Sequence, residues 1–158
     1  MTDDRTRYSS GTPWEETVGY SRAIRVGRQV FVSGTTATGP EGRIVGPNDP
    51  YLQSVQALDN IERALEALGS RRASIVRLRI YVRSIADFPE VARALGERFR
   101  DVRPTSTLVE VSGLVDPTMK VEIEAEAVDP PRRRPRRPTS RPSPRRPGRG
   151  GAGRRRPS

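Results

Sequence analysis

Apolar and polar residues alternate strictly over Lys120–Val128. Val121, Ile123, Ala125 and Ala127 fall on one side, and Lys120, Glu122, Glu124 and Glu126 on the other. A two-residue period of this kind belongs to a strand with one buried face. Thr107–Val111 is a second β-type run, joined to the first through a Gly/Asp/Pro turn region. Ile75–Arg83 alternates as well, with Val76, Leu78, Ile80 and Val82 opposed to Arg77, Arg79, Tyr81 and Arg83. Nearer the start, Gly19–Val26 and Gln29–Ser33 are short β-type runs split by Gly27-Arg28, a hairpin turn. Between these runs the period lengthens. Leu52, Val55, Leu58, Ile61, Leu65 and Leu68 recur every three or four residues, the spacing of one helical face. Asp49 stands as its N-cap, Pro50 at the first helical position, and Gly69 where a helix C-cap favours glycine. A second helix opens at Asp87, with Phe88, Val91, Ala92, Leu95 and Phe99 as its apolar stripe.

The resulting order, β-β-α-β-α-β-β, predicts an α+β domain: a mixed sheet with two helices packed on one face. The other face of the sheet would carry the arginines of Ile75–Arg83 and the glutamates of Lys120–Val128. As neighbours these strands would form cross-strand ion pairs, each contributing from a few tenths to ~1 kcal/mol. Residues 1–16 are polar and read as an irregular N-terminal arm, and Thr35–Asn48, rich in Gly, Pro and Thr, reads as a loop. The domain proper spans 17–129. From Pro130 the composition collapses to Arg, Pro, Gly, Ser and Thr with a single alanine, and eight of the last 29 residues are proline. With so little apolar surface to offset the entropy of ordering, the 130–158 segment is expected to be a disordered Arg/Pro-rich tail.

Charge sharpens this division. The formal net charge is +10, but twelve of the 29 basic residues lie in 130–158, which has no acidic residue. Residues 1–129 hold 17 basic against 19 acidic residues, so the body is close to neutral and slightly acidic. Any attraction for nucleic acid therefore belongs to Arg132–Arg156, whose guanidinium groups would bind phosphate through counterion release and without sequence preference. The bland alternative is a terminal extension without a role. The chain contains neither cysteine nor histidine. Thiolate nucleophiles, disulfides, Ser-His-Asp catalysis and the commonest metal ligands are thereby excluded, and no metal or cofactor is expected. No apolar run approaches the ~20 residues of a membrane span, and the start MTDDRTR does not resemble a signal peptide. A soluble cytoplasmic protein without membrane contact is the expectation.

Several segments, in order, resemble the Rid/YjgF family of enamine/imine deaminases. Gly19-Tyr20-Ser21-Arg22-Ala23 is similar to that family's G-P-Y-S-Q-A start, and Val30-Phe31-Val32-Ser33-Gly34 to its V-F-V-S-G strand. Leu58-Asp59-Asn60-Ile61 resembles its L-x-N-I helix motif. Arg103 to Ala125 resembles its C-terminal signature, a P-x-R-S-x-V-E-V strand followed by V-E-I-E-A. The resemblance covers about Pro13 to Val128. It implies a YjgF-like (chorismate-mutase-like) fold, assembled as a homotrimer that binds a small molecule in clefts between subunits. It further implies Glu122 as the carboxylate that positions a hydrolytic water, with the Leu108 carbonyl assisting. Tyr20 and the Ser33-Gly34 backbone would line the pocket. The substrate-clamping arginine of the family falls at Ser106, and a frequent asparagine at Ala92. Both are departures.

The exchange at Ser106 is physically large. A guanidinium–carboxylate contact is bidentate and charge-assisted, on the order of 1.5–3 kcal/mol, whereas serine offers one neutral donor. This argues against the archetypal 2-aminoacrylate deaminase reaction and leaves open hydrolysis of another imine, enamine or related reactive metabolite. Arg22 and Arg103 are the candidates for a compensating cation. Two further readings stand beside the enzyme: a catalytically silent small-ligand-binding module, and an RNA-associated protein acting through its basic tail. Glu122 itself has two readings, water-positioning carboxylate or simple partner of the arginines on a neighbouring strand. Ser106 reads as a ligand hydrogen bond or an ordinary strand serine.

Overall fold

Strands β1 (Arg5–Tyr8), β2 (Ala23–Val26), β3 (Gln29–Thr35), β4 (Ile75–Val82), β5 (Thr105–Glu110) and β6 (Val121–Val128) form one sheet in the order β1-β2-β3-β6-β4-β5. This is the arrangement in the computed structural model, which describes residues 4–131. All neighbours run antiparallel except β4 and β5, which are parallel. A parallel pair needs a crossover, and α3 (Phe88–Phe99) provides it. The longer helix α2 (Pro50–Ala67) joins β3 to β4 and packs against α3, β3 and β6. The expected mixed sheet with two helices on one face is the observed architecture. The expected tail and its anion-binding role fall on 132–158, outside the described residues.

The alternation of β6 carries over fully into the fold: Val121 and Ile123 are 0% exposed and Ala125 and Ala127 nearly so. With Val30, Val32, Leu78, Ile80 and Val82 from the flanking strands, they meet Leu58, Ile61 and Leu65 of α2 and Val91 and Phe99 of α3 in a single core. Asp49 caps α2 by accepting the Leu52 N–H at 2.9 Å. At the other end, Gly69 takes φ +71°, and Ser70 N–H closes on Leu65 O at 2.8 Å.

Three expectations need correction. Residues 1–16 are not an irregular arm: Arg5–Tyr8 adds an edge strand to β2, and Pro13–Val18 forms a short helix, α1. Val76 does not share the core face of β4, because the register against β6 shifts between Ile75 and Arg77. This bulge buries Ile75 and turns Val76 outward. On the helices, Leu52 and Phe88 are exposed, while Gln53 is fully buried. The Gln53 amide donates to Gly46 O (3.0 Å) and Thr118 O (2.8 Å), and its carbonyl accepts the Lys120 N–H (2.7 Å). A buried polar side chain thus fastens two loops to α2, each contact replacing one lost to water. Asn60, from the L-x-N-I motif, likewise donates to Thr36 O and Thr38 O at 3.1 and 2.8 Å.

The face of the sheet away from the helices carries the charges. Arg79 lies opposite Glu124 in the register, and its Nη1 is 3.1 Å from both Glu124 Oε1 and Glu126 Oε1. Arg77 approaches Glu126 at 3.9 Å, and the Tyr81 hydroxyl donates to Glu124 at 2.9 Å.

Asp129 ties down the end of β6. Its carboxylate meets Arg25 Nη2 at 2.5 Å and accepts the Ser70 hydroxyl at 2.8 Å. Burial raises its pKa, but hydrogen bonds from Ser74, Arg25 and Ser70, with the Arg25 charge, outweigh that and hold it below the usual carboxylate value. A depressed carboxyl contributes stability that is present above its unfolded value and is lost as pH falls through the folded one. Asp129→Asn is therefore expected to lower stability by about 1–2 kcal/mol at neutral pH. The difference from the parent should shrink below about pH 4, read by urea unfolding at a series of pH values. A loss that stays constant down to pH 2 would contradict it.

Candidate functional site

The register of β3 against β6 slips between Val32 and Thr35, where two residues, Ser33 and Gly34, face one. Such a bulge bends the strand and re-aims its neighbours. Ser33 is anchored on both sides: its N–H donates to Arg22 O at 3.0 Å and its hydroxyl to Ser21 O at 2.8 Å. Gly34 lies against the Glu122 side chain so closely that a Cβ there would sit 2.2 Å from Glu122 Oε1. Absence of a side chain at residue 34 is what gives the carboxyl its place.

Glu122 stands opposite Tyr81 on β4. Unlike Glu124 and Glu126, it has no hydrogen bond or ion pair to any described residue. Of its two readings, pairing with a neighbouring arginine is not what the fold does. Burial pushes its pKa up, the Arg22 charge pulls it down, and Glu124 adds a further upward push; the net shift is upward. A half-buried carboxyl with free lone pairs and a raised pKa is suited to take a proton and return it.

Arg22 lies under this group. Its Nη1 donates to Gly34 O at 2.6 Å and Thr35 Oγ1 at 3.3 Å, and its Nη2 to the Tyr20 hydroxyl at 2.6 Å. Its Nε lies 3.6 Å from Glu15 Oε1. Arginine has no lone pair, so the Tyr20 oxygen must accept, and the Tyr20 proton is left to donate elsewhere. Glu15, 6% exposed, is fixed in turn by the Ser10 N–H at 3.0 Å, by the Ser10 hydroxyl, and by Thr12. Burial raises its pKa, but hydrogen bonds from Ser10 and Ser9, with the Arg22 charge, more than reverse it and keep it ionised. The network Glu15–Arg22–Tyr20 was not foreseen as a unit. Its signal in the sequence was an arginine where the resembling motif has glutamine.

The structure therefore brings together Tyr20, Ser33, Gly34 and Glu122, with Arg22 added. It does not bring Ser106 or Leu108 to them within one chain. Ser106 pairs with Leu78 and Leu108 with Ile80, both residues of the core side, whereas Glu122 shares the opposite face with Tyr81. Leu108 is half-buried against the core, and Ser106 is exposed beside Arg103 and Pro104. Of Arg22 and Arg103, Arg22 is the one whose charge acts on Glu122, without an ion pair, and Arg103 lines a separate groove.

Comparison with known proteins adds to this geometry. A family model described as endoribonuclease L-PSP matches residues 12–129. The chain is 38% identical over 121 residues to the Streptomyces coelicolor protein SCO2049, covering 77% of this chain and 90% of that one. It is 31% identical over 111 residues to the 2-iminobutanoate/2-iminopropanoate deaminase of Dermatophagoides farinae, covering 69% and 84%. Among solved structures it superposes with a TM-score of 0.72 and 42% identity on Rv2704 of Mycobacterium tuberculosis, a member of the YjgF/YER057c/UK114 family. That match covers 79% of this chain and 99% of the other.

Proposed function

The chain belongs to the YjgF/Rid family, and we propose that it binds and hydrolyses a small imine or enamine at clefts between the subunits of a homotrimer, with Glu122 positioning the attacking water. The observation that carries this reading is the unpaired, half-buried Glu122 carboxyl seated against the side-chain-free Gly34. The name of the mite relative, an imine deaminase, agrees with it. Ser106 shares the core side of the sheet with Leu78, and the Leu108 carbonyl belongs to the edge strand β5, with β4 between it and Glu122 on β6, so both enter such a cleft only from a neighbouring subunit. This is the reason for tying the activity to a trimer.

In the proposed reaction Glu122 accepts a proton as water adds to the C=N carbon. With the imine nitrogen protonated at the start, Glu122 returns that proton to the carbinolamine nitrogen, the C–N bond breaks to release ammonia, and the hydroxyl gives its proton to the departing ammonia as the C=O bond forms. Tyr20, its oxygen already accepting from Arg22, turns its hydroxyl proton toward an acceptor on the substrate. Glu122 must be ionised to take the first proton, so activity should fall on the acid side with a midpoint above the ordinary glutamate value. Arg22 pulls the Glu122 pKa down, so Arg22→Gln should move that midpoint further up. A midpoint unchanged in Arg22→Gln would remove Arg22 from the scheme.

Imines generated in situ from serine, threonine and larger amino acids provide the test, with ketone and ammonia as readouts. Glu122→Gln should slow the best substrate by about a hundredfold or more. Sedimentation equilibrium of the full chain should return three subunits at micromolar concentration. A trimer that accelerates none of these hydrolyses would favour a silent ligand-binding module instead. Cleavage of RNA receives no support from the described residues. The chain has no histidine, and Arg22, whose charge acts on Glu122, is committed to Gly34, Tyr20 and Glu15.

A further inference from the structure

Tyr20 is gripped at both ends by one residue of α1. The Glu15 carbonyl accepts the Gly19 and Tyr20 N–H groups, each at 3.0 Å, as the chain leaves α1 through Gly19 at φ +77°. At the far end of the ring, the Tyr20 hydroxyl accepts from Arg22 Nη2, and Arg22 Nε faces the Glu15 carboxylate at 3.6 Å. The guanidinium carbon also lies 5.2 Å from the centre of the Tyr20 ring. Glu15 is itself held fast. The Ser10 N–H reaches both carboxylate oxygens, at 3.0 and 3.2 Å, and the Ser10 and Thr12 hydroxyls add to it.

Arg22 is 12% exposed, and a guanidinium so far from water needs a negative partner. Among the described residues Glu15 is the one carboxylate within ion-pair distance of it. The next candidate is Glu122. Arg22 Nη1 donates to Gly34 O at 2.6 Å, and the Glu122 carboxyl rests against that same Gly34. A single glycine thus separates a buried cation from a half-buried carboxyl without a partner. Opposite charges so placed would close on each other unless one were held elsewhere.

We propose that Glu15 is a positioning residue, which holds Arg22 on Tyr20 and off Glu122. The Glu122 carboxyl is thereby kept unpaired, and the Tyr20 proton is left free to donate. Glu15 acts through Arg22 and not on the reacting atoms. The groups facing Glu122 are Arg22, Glu124 on its own strand and Tyr81 of β4. Those facing Glu15 are Ser9, Ser10, Thr12 and Arg22. Arg22 alone is common to both sets among the described residues, so it is the route from Glu15 to Glu122. The inference rests on the imine reading only where activity is the readout.

Carbon-13 NMR of the Glu122 side-chain carboxyl in the full-length protein, assigned by its loss in Glu122→Gln, tests this without a substrate. Glu15→Gln keeps the side chain's length and an oxygen for Ser10 but carries no charge. Arg22 should then turn to Glu122, and the Glu122 titration should move to lower pH. Arg22→Gln should move it to higher pH. The double variant Glu15→Gln/Arg22→Gln should titrate with Arg22→Gln, since Glu15 has lost its route. A role for Glu15 in folding alone would move none of these titrations. Should Glu15→Gln fail to fold, Glu15→Asp keeps the charge but shortens its reach, and should move the titration to lower pH by less. On the best imine, Glu15→Gln should lower kcat by roughly tenfold or more and carry the acid limb of activity to lower pH. A parent that hydrolyses no imine would end the imine reading and leave the titrations to decide this one. A Glu122 titration that stays in place or rises when Glu15 is changed, or a double variant that departs from Arg22→Gln, would overturn the proposal.

Discussion

Replacing Gly34 by alanine should silence the site and leave the fold standing. Gly34 is not at positive φ, so alanine meets no backbone penalty there. The new Cβ would sit 2.2 Å from Glu122 Oε1, 3.0 Å from Cδ and 3.3 Å from Cγ, and the side chain has to swing away. The clash is with the far end of a flexible chain, so the structural cost is small. The functional cost is large, because a water-positioning group displaced by about 1 Å can lose on the order of a hundredfold in rate. Gly34→Ala should therefore lose most of what Glu122→Gln loses, with a melting temperature within a few degrees of the parent. A fully active Gly34→Ala protein would show that the carboxyl does not act from its observed position.

The largest loss of stability is expected from Ile123→Ala. Ile123 is 0% exposed at the middle of β6, opposite Ile80 on one side and Thr35 on the other. Truncation of a buried isoleucine costs about 2–5 kcal/mol, because the surroundings only partly collapse into the cavity. A domain of ordinary stability has only ~5–15 kcal/mol to lose, so a fall in melting temperature of roughly 10 °C or more is expected. Phe31→Ala is the control. Phe31 lies on the same sheet but on its outer face, 38% exposed, and should cost the subunit far less. Both belong at one protein concentration, since association shifts apparent stability. An Ile123→Ala protein as stable as Phe31→Ala would place the core elsewhere.

The parts of the fold that could be read in advance are those where one local rule acts alone. Strand β6 shows an uninterrupted two-residue period, and α2 has its cap, its proline and its terminal glycine in sequence. Where tertiary contacts decide, the pattern was silent or misleading. Arg5–Tyr8 is too short and too polar to announce a strand, and becomes one by pairing along the free edge of β2. Val76 is apolar in an apolar alternation, yet one extra residue in β4 moves it to the outside. Gln53 is buried although polar, because three backbone groups from two loops satisfy it.

The candidate site divides in the same way. Tyr20, Ser33, Gly34 and Glu122 were legible from motif resemblance, and they do converge. The bulge that makes room for Glu122 was not, because it depends on how β3 meets β6. Nor was the separation of Ser106 from Glu122, since a linear motif does not tell which face of which strand a residue occupies.

The place of β6 in the sheet has a consequence for how the protein comes into being. The last strand of the described domain lies not at an edge but between β3 and β4, which do not pair with each other. On the ribosome, at ~5–20 residues per second, the β1–β2–β3 meander and the β4–α3–β5 unit are finished while the strand that joins them is still to come. Until Val121–Val128 has been made, two half-sheets each hold an unsatisfied edge, along β3 in one and β4 in the other. The joining step draws together segments about 90 residues apart (Gln29–Thr35 and Val121–Val128), the type of long-range closure that slows folding. During that interval the nascent chain is at its most adhesive and most in need of a chaperone.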